Sequence, residues 1–139
     1  MSKLARHCLK NLHRLCIGVV LACAATSALA QAQPQPQPPA ALETTLRNML
    51  AALQKNSLPD FVADGDAAFK SGMTREMLAG VSTQFGPRLA GGYTATFLGA
   101  LNQQGYTVYL WKLVFKDGQD DRMVTMAVKD GKVAGFFLR

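Results

Sequence analysis

YTVYLWKLVFKDGQDDRMVTMAVKDGKVAGFFLR, residues 106–139, decides the fold. Residues 106–115 are dense in aromatic and branched side chains, the composition of a pleated, partly buried strand. Residues 116–121 form a polar loop, and residues 122–128 read as the next strand. Asp130-Gly131 is a two-residue type I′ hairpin signal, because both positions of that turn need positive φ. Residues 133–138 then return as a last strand. A turn at Asp130-Gly131 pairs Lys129 with Lys132 and sets Val128 opposite Val133. Carried on without interruption, that register sets Met126 opposite Gly135 and Val124 opposite Phe137. On the other face it pairs Ala127 with Ala134, Thr125 with Phe136 and Met123 with Leu138.

Both faces of this sheet are apolar. Tyr109, Trp111, Leu113 and Phe115 share one side of their strand, and Val108, Leu110 and Val114 the other. A sheet with one solvated face should alternate apolar with polar residues. One layer of helices covers one face, so the other needs a second cover. The simplest is a second copy, giving an isologous homodimer through the sheet.

Upstream, residues 93–101 read as a first strand, with a turn at Asn102-Gln103-Gln104-Gly105. Before it the period is helical. Leu42, Leu46, Met49, Leu50 and Leu53 make one apolar face, and Asn56-Ser57 closes that helix. Ser57-Leu58-Pro59-Asp60 fits a capping box opening a second helix, which carries Phe61, Val62, Ala68 and Phe69 and is open to a break near Gly65. Thr74 caps a third, with Glu76 in its first turn. Its face is Met77, Val81 and Phe85, with Leu78 beside them, and Gly86-Pro87 is read as its break. Helices first and strands last make an α+β domain over residues 41–139, three helices on a four-stranded, twisted antiparallel meander.

The N-terminal part is an address. Lys3, Arg6, Lys10 and Arg14 precede an apolar run over residues 15–30 that ends in Ala28-Leu29-Ala30. Basic start, apolar middle and small-residue exit describe an export signal over residues 1–30, so a periplasmic or secreted protein is expected. Val20-Leu21-Ala22-Cys23 offers a second cut, which would leave Cys23 as a lipid-bearing N-terminus on a membrane. The soluble cut after Ala30 is preferred, since Leu21 is bulky for a lipid-attachment site. Residues 31–40, QAQPQPQPPA, form a Gln/Pro-rich tether inclined to extended polyproline II.

Removal of residues 1–30 takes all three cysteines, both histidines and four of the fifteen Lys and Arg. Eleven basic residues then face nine acids, a net charge of +2 rather than +6. The high isoelectric point therefore belongs largely to the signal, and no nucleic-acid partner is expected. Nucleophile systems built on Cys or His are excluded from the mature chain, as is a soft or imidazole metal site. Asp60, Asp64 and Asp66 read as a capped and solvated helix face, and Asp117, Asp120 and Asp121 as a solvated loop. No metal, cofactor or catalytic residue is assigned.

The runs FVADGDAAFKSGMTREMLAGVSTQFGPRLAGGYTATFLG, GYTVYLWKLVFKDG and VKDGKVAGFFL, with the order of elements, resemble the nuclear-transport-factor-2-like superfamily, its SnoaL-like and ketosteroid-isomerase branches included. The likeness spans about residues 41–139 and is most similar to small exported bacterial members of unassigned activity. It implies a cone-like fold whose helices and concave sheet enclose a pocket for a small apolar ligand, and sheet-mediated dimers. The aromatic and methionine set Tyr93, Phe97, Tyr109, Trp111, Met123, Met126 and Phe136 is the candidate lining. An enzyme of this kind would pair a donating tyrosine (Tyr93, Tyr106 or Tyr109) with an aspartate base, Asp60 or Asp64. The leading expectation is a binding module. The enzyme and a purely structural dimerisation module are its alternatives.

Overall fold

The computed structural model describes residues 37–139, which lie within one compact unit, Pro34–Arg139. The expected export signal, Cys23 and the first six residues of the expected tether lie outside the described residues. Among the described residues no helix is long and apolar enough to cross a membrane.

Helix α1 (Ala40–Lys55) begins one residue inside the expected tether, with the Pro39 carbonyl accepting from the Leu42 and Glu43 amides. Glu43 in its first turn and Lys55 in its last both suit the helix dipole. Asn56 turns left-handed at φ 51°. The Asn56 amide then bonds Leu53 O and the Ser57 amide Ala52 O, a Schellman stop.

The expected second helix is two short pieces, α2 (Leu58–Phe61) and α3 (Ala67–Gly72). The Ser57 hydroxyl bonds the Asp60 carboxylate at 2.8 Å rather than a backbone amide. The break between the pieces has a tertiary cause. The Val133 amide donates to Asp64 O and the Asp66 amide to Val133 O, so this loop pairs with the edge of the sheet. Gly65 is needed there, because a Cβ would stand 2.6 Å from a Phe69 ring carbon and 3.0 Å from Val62 O. Asp66 then caps α3 by accepting from the Phe69 amide at 2.7 Å.

Helix α4 (Arg75–Ala90) starts at the expected Thr74 cap, which accepts from the Met77 amide. Two expectations are corrected here. Gly86-Pro87 does not end the helix, which runs to Ala90. A proline disfavours helix in the residue before it mainly by colliding with that residue's Cβ and amide, and Gly86 has no Cβ. The buried stripe is Leu78, Ser82, Phe85 and Leu89, while Met77 is exposed. Spacings of four, three and four stay within about 30° of one line along a helix, whereas Met77, Val81 and Phe85 drift steadily by about 80°. Ser82 finds a partner in the stripe by donating to Leu53 O, which ties α4 to α1.

The sheet is an antiparallel meander in the order β1 (Tyr93–Gln103), β2 (Tyr106–Phe115), β3 (Arg122–Lys129) and β4 (Lys132–Leu138). Helices on one face of an antiparallel sheet make the domain α+β, as expected. The first hairpin turns on Gln104-Gly105 alone, at φ 52° and 82°, not on four residues. Its twist matches the strands, so both can extend to it. Asp130-Gly131 turns the same way, at 48° and 73°.

Each edge strand carries a one-residue bulge. Leu98 is the extra residue of β1, since Phe97 pairs with Trp111 and Gly99 with Leu110. Ala134 is that of β4, since Val133 pairs with Val128 but Gly135 with Ala127. The second bulge corrects the expected register. Met126 faces Phe136, Val124 faces Leu138, and Thr125 faces Phe137. A bulge sets two residues against one and flips every side chain beyond it. Phe136 and Leu138 thereby turn to the helices, and Phe137 to the outside, where it is 55% exposed.

The core lies between the helices and this inner face. Leu46, Met49, Leu50 and Leu53 from α1 and Leu78, Phe85 and Leu89 from α4 meet Trp111, Leu113, Phe115, Val124 and Met126 from the sheet.

The candidate cleft at the edge of the sheet

The space between the helices and the centre of the sheet is filled by these side chains. Among the described residues its residual void is about 60 Å³, lined by Leu53, Phe61, Met73, Leu78, Phe136 and Leu138. A larger recess of about 520 Å³ opens at one side, where the first half of α1 passes over β1. Its floor is Leu46, Leu50 and Trp111, its wall Tyr93, Ala95 and Phe97. Gln37 and Pro38 bound it where the tether enters the helix, and Glu43 and Arg47 stand at its rim.

Register explains the wall. Phe97 sits directly across from Trp111, and Tyr109 follows two residues earlier on the same face of β2. The rings of Phe97 and Trp111 are 5.4 Å apart at 56°, Tyr109 and Trp111 6.1 Å, and Phe97 and Tyr109 6.4 Å. These separations lie in the favourable range for aromatic pairs. The cluster is buried at Trp111 and half-buried at Phe97 and Tyr109.

The structure thus brings four of the seven candidate residues together, with Tyr93, Phe97 and Trp111 lining the cleft and Tyr109 stacked beside them. Phe136 is elsewhere, edge-on to Phe61 at 5.4 Å under α2 and α3. Met123 is across from Lys112 on the outer face, away from the helices. Met126 is fully buried core. Asp60 and Asp64 line a separate recess with Lys55 on the other side of α1. Tyr93 therefore lines a different recess from Asp60 and Asp64.

Sequence reasoning missed Glu43 and Arg47. They lie one helical turn apart on α1, next to the inward Leu46 and Leu50. A charged pair one position beside an apolar stripe is visible in the sequence, but which side of that helix meets the sheet edge is not. Their carboxylate and guanidinium are 4.0 Å apart and mostly exposed, at 54% and 65%. Burial raises the Tyr93 pKa above the ordinary tyrosine value, and the Arg47 charge opposes that shift. The Tyr93 side chain therefore remains a neutral O–H donor through the physiological range.

Several other acidic residues have structural partners. Asp64 accepts from the Thr45 hydroxyl at 2.8 Å, and Asp121 lies 3.5 Å from the Lys112 ammonium. Asp117 takes a two-pronged bond from Arg88, at 2.6 and 3.2 Å, while the Arg88 guanidinium lies 4.0 Å over the Phe115 ring. Among the described residues no group of three or more His, Cys, Asp or Glu is arranged to hold a metal. The Arg88 bond, then the Gln119 amide, hold the Asp117 pKa below the usual aspartate value. A depressed pKa contributes stability above the unfolded value, about 3.9, and that contribution fades as pH falls through the folded value. Asp117→Asn should lower the urea midpoint at pH 7, and its deficit against wild type should shrink below about pH 4. Urea titrations at pH 7 and pH 3 check this.

No family model matches the chain, and no curated protein matches it. Among solved structures the chain is similar to an uncharacterized cystatin fold protein from Novosphingobium aromaticivorans, with 14% identity over 73% of this chain and 99% of that one, at a TM-score of 0.39. The α+β assignment itself rests on the element order and strand pairing of the chain.

Proposed function

We propose that the domain is a small exported binding module that takes an apolar ligand in the α1/β1 cleft and pairs with a second copy through its outer sheet face. The observation that carries the reading is the aromatic wall of Tyr93, Phe97 and Trp111 bordering an open recess of about 520 Å³. Ligand sites for small molecules are mostly apolar, with a few polar groups, and fall in this size range. The expected kinship with nuclear-transport-factor-2-like proteins belongs to the same proposal, as does export by the N-terminal signal. The kinship is supported by helices packed on a four-stranded antiparallel meander.

The chain has one tryptophan, and it is at the cleft. Decanol, an uncharged apolar probe, should therefore change Trp111 fluorescence in a saturable way. Phe97→Gln should weaken that binding by about tenfold, the scale of 1–2 kcal/mol of apolar contact. A linear, unsaturable response, or a midpoint untouched by Phe97→Gln, would refute the cleft as the site.

A further inference from the structure

The cleft is not uniformly apolar, and its polar groups are grouped. Arg47 is its one cation among the described residues, and it stands on the same rim as Glu43. Tyr93 faces them from β1, close enough for the Arg47 charge to act on its hydroxyl. Among the described residues that hydroxyl has no hydrogen-bond partner. The Glu43–Arg47 contact is at the outer limit of an ion pair, with both groups well exposed. Such a pair contributes little to stability, about 0–1 kcal/mol, so an incoming anion could displace Glu43 at small cost.

We infer that the ligand is an amphipathic carboxylate, its apolar body against Phe97, Ala95 and Pro38, over the buried floor of Leu46, Leu50 and Trp111, and its carboxylate held by the Arg47 guanidinium and the Tyr93 hydroxyl. The inference rests on the apolar-ligand reading above and adds the head group. A planar, multi-donor guanidinium matches the two oxygens of a carboxylate, and a neutral tyrosine adds a third donor. Glu43 sets the strength of capture, because it competes for the same guanidinium. The two rim charges therefore act in opposite directions.

The test compares decanoate with decanol, below micellar concentration at neutral pH, on wild type, Arg47→Gln and Glu43→Gln, read from Trp111 fluorescence. Both rim side chains are solvent-exposed, so either variant should keep its fold, which circular dichroism checks. Arg47→Gln should weaken decanoate by about tenfold or more, the scale of a charge-assisted hydrogen bond, and leave decanol unchanged. Glu43→Gln should tighten decanoate and leave decanol unchanged. Equal loss of both probes in Arg47→Gln would overturn the inference, since Arg47 would then act through its aliphatic stem. Decanol binding with no response to decanoate would overturn it while sparing the apolar site. Failure of both probes on wild type would remove the site and the inference together.

Discussion

Replacing Trp111 with alanine should cost about 3–5 kcal/mol of folding stability, the range for truncating a large buried aromatic. Trp111 is 2% exposed and packs with Phe97 and Tyr109 on one side and with the α1 leucines on the other. No neighbour can swing in to fill so large a space, because the surrounding rings and leucines are themselves buried or half-buried. A domain of this size has about 5–15 kcal/mol in total, so the variant should sit near the edge of folding at 37 °C. Urea denaturation followed by far-ultraviolet circular dichroism measures the loss and does not depend on the missing indole. Trp111→Phe, which keeps an aromatic ring, should lose much less. Met77→Ser, 54% exposed on α4, should change stability by less than about 0.5 kcal/mol. A Trp111→Ala loss as small as that of Met77→Ser would mean that the cleft floor is not part of the core.

What the sequence shows and what it hides divide along the range of the forces involved. Local chemistry is legible. Asn56 as a helix stop, Thr74 as a cap, Asp130-Gly131 as a turn and the helix-to-strand change near Gly91 all depend on neighbours a few residues away. The bulges at Leu98 and Ala134 are not legible, because an extra residue is fixed by the partner strand and by what must lie beneath it. Ala134 matters most. It puts Phe136 under α2 and α3 and turns Phe137 outward, whereas an uninterrupted register would place both on the opposite faces. The α2–α3 break was open in the sequence at Gly65, but what fixes it there is distant, the Val133 backbone. The site divides the same way. Tyr93, Phe97, Tyr109 and Trp111 share a face by strand period alone. Arg47 and Glu43 join them only because α1 crosses over β1, and no periodicity in either element states that crossing.

Leu110→Glu should convert the proposed dimer to a monomer without unfolding the chain. The outer face of the sheet carries Leu101, Val108, Leu110, Val114, Met123 and Phe137, with Leu101 and Phe137 exposed. Contiguous apolar surface of this kind on a small domain commonly marks an interaction site. Thr125 lies at its middle, between Leu110 and Phe137, and its hydroxyl is buried with no partner among the described residues. An isologous pairing over this face would cover the apolar side chains around Thr125. A glutamate at position 110 would place a charge in that interface, at a cost of several kcal/mol if it stays unpaired, which is roughly two orders of magnitude or more in association. In the monomer it would stand two residues from Lys112 on the same face, so the fold should hold. Native mass at micromolar concentration should give two chains for wild type and one for Leu110→Glu, with matching circular dichroism. A single chain for wild type would refute the pairing.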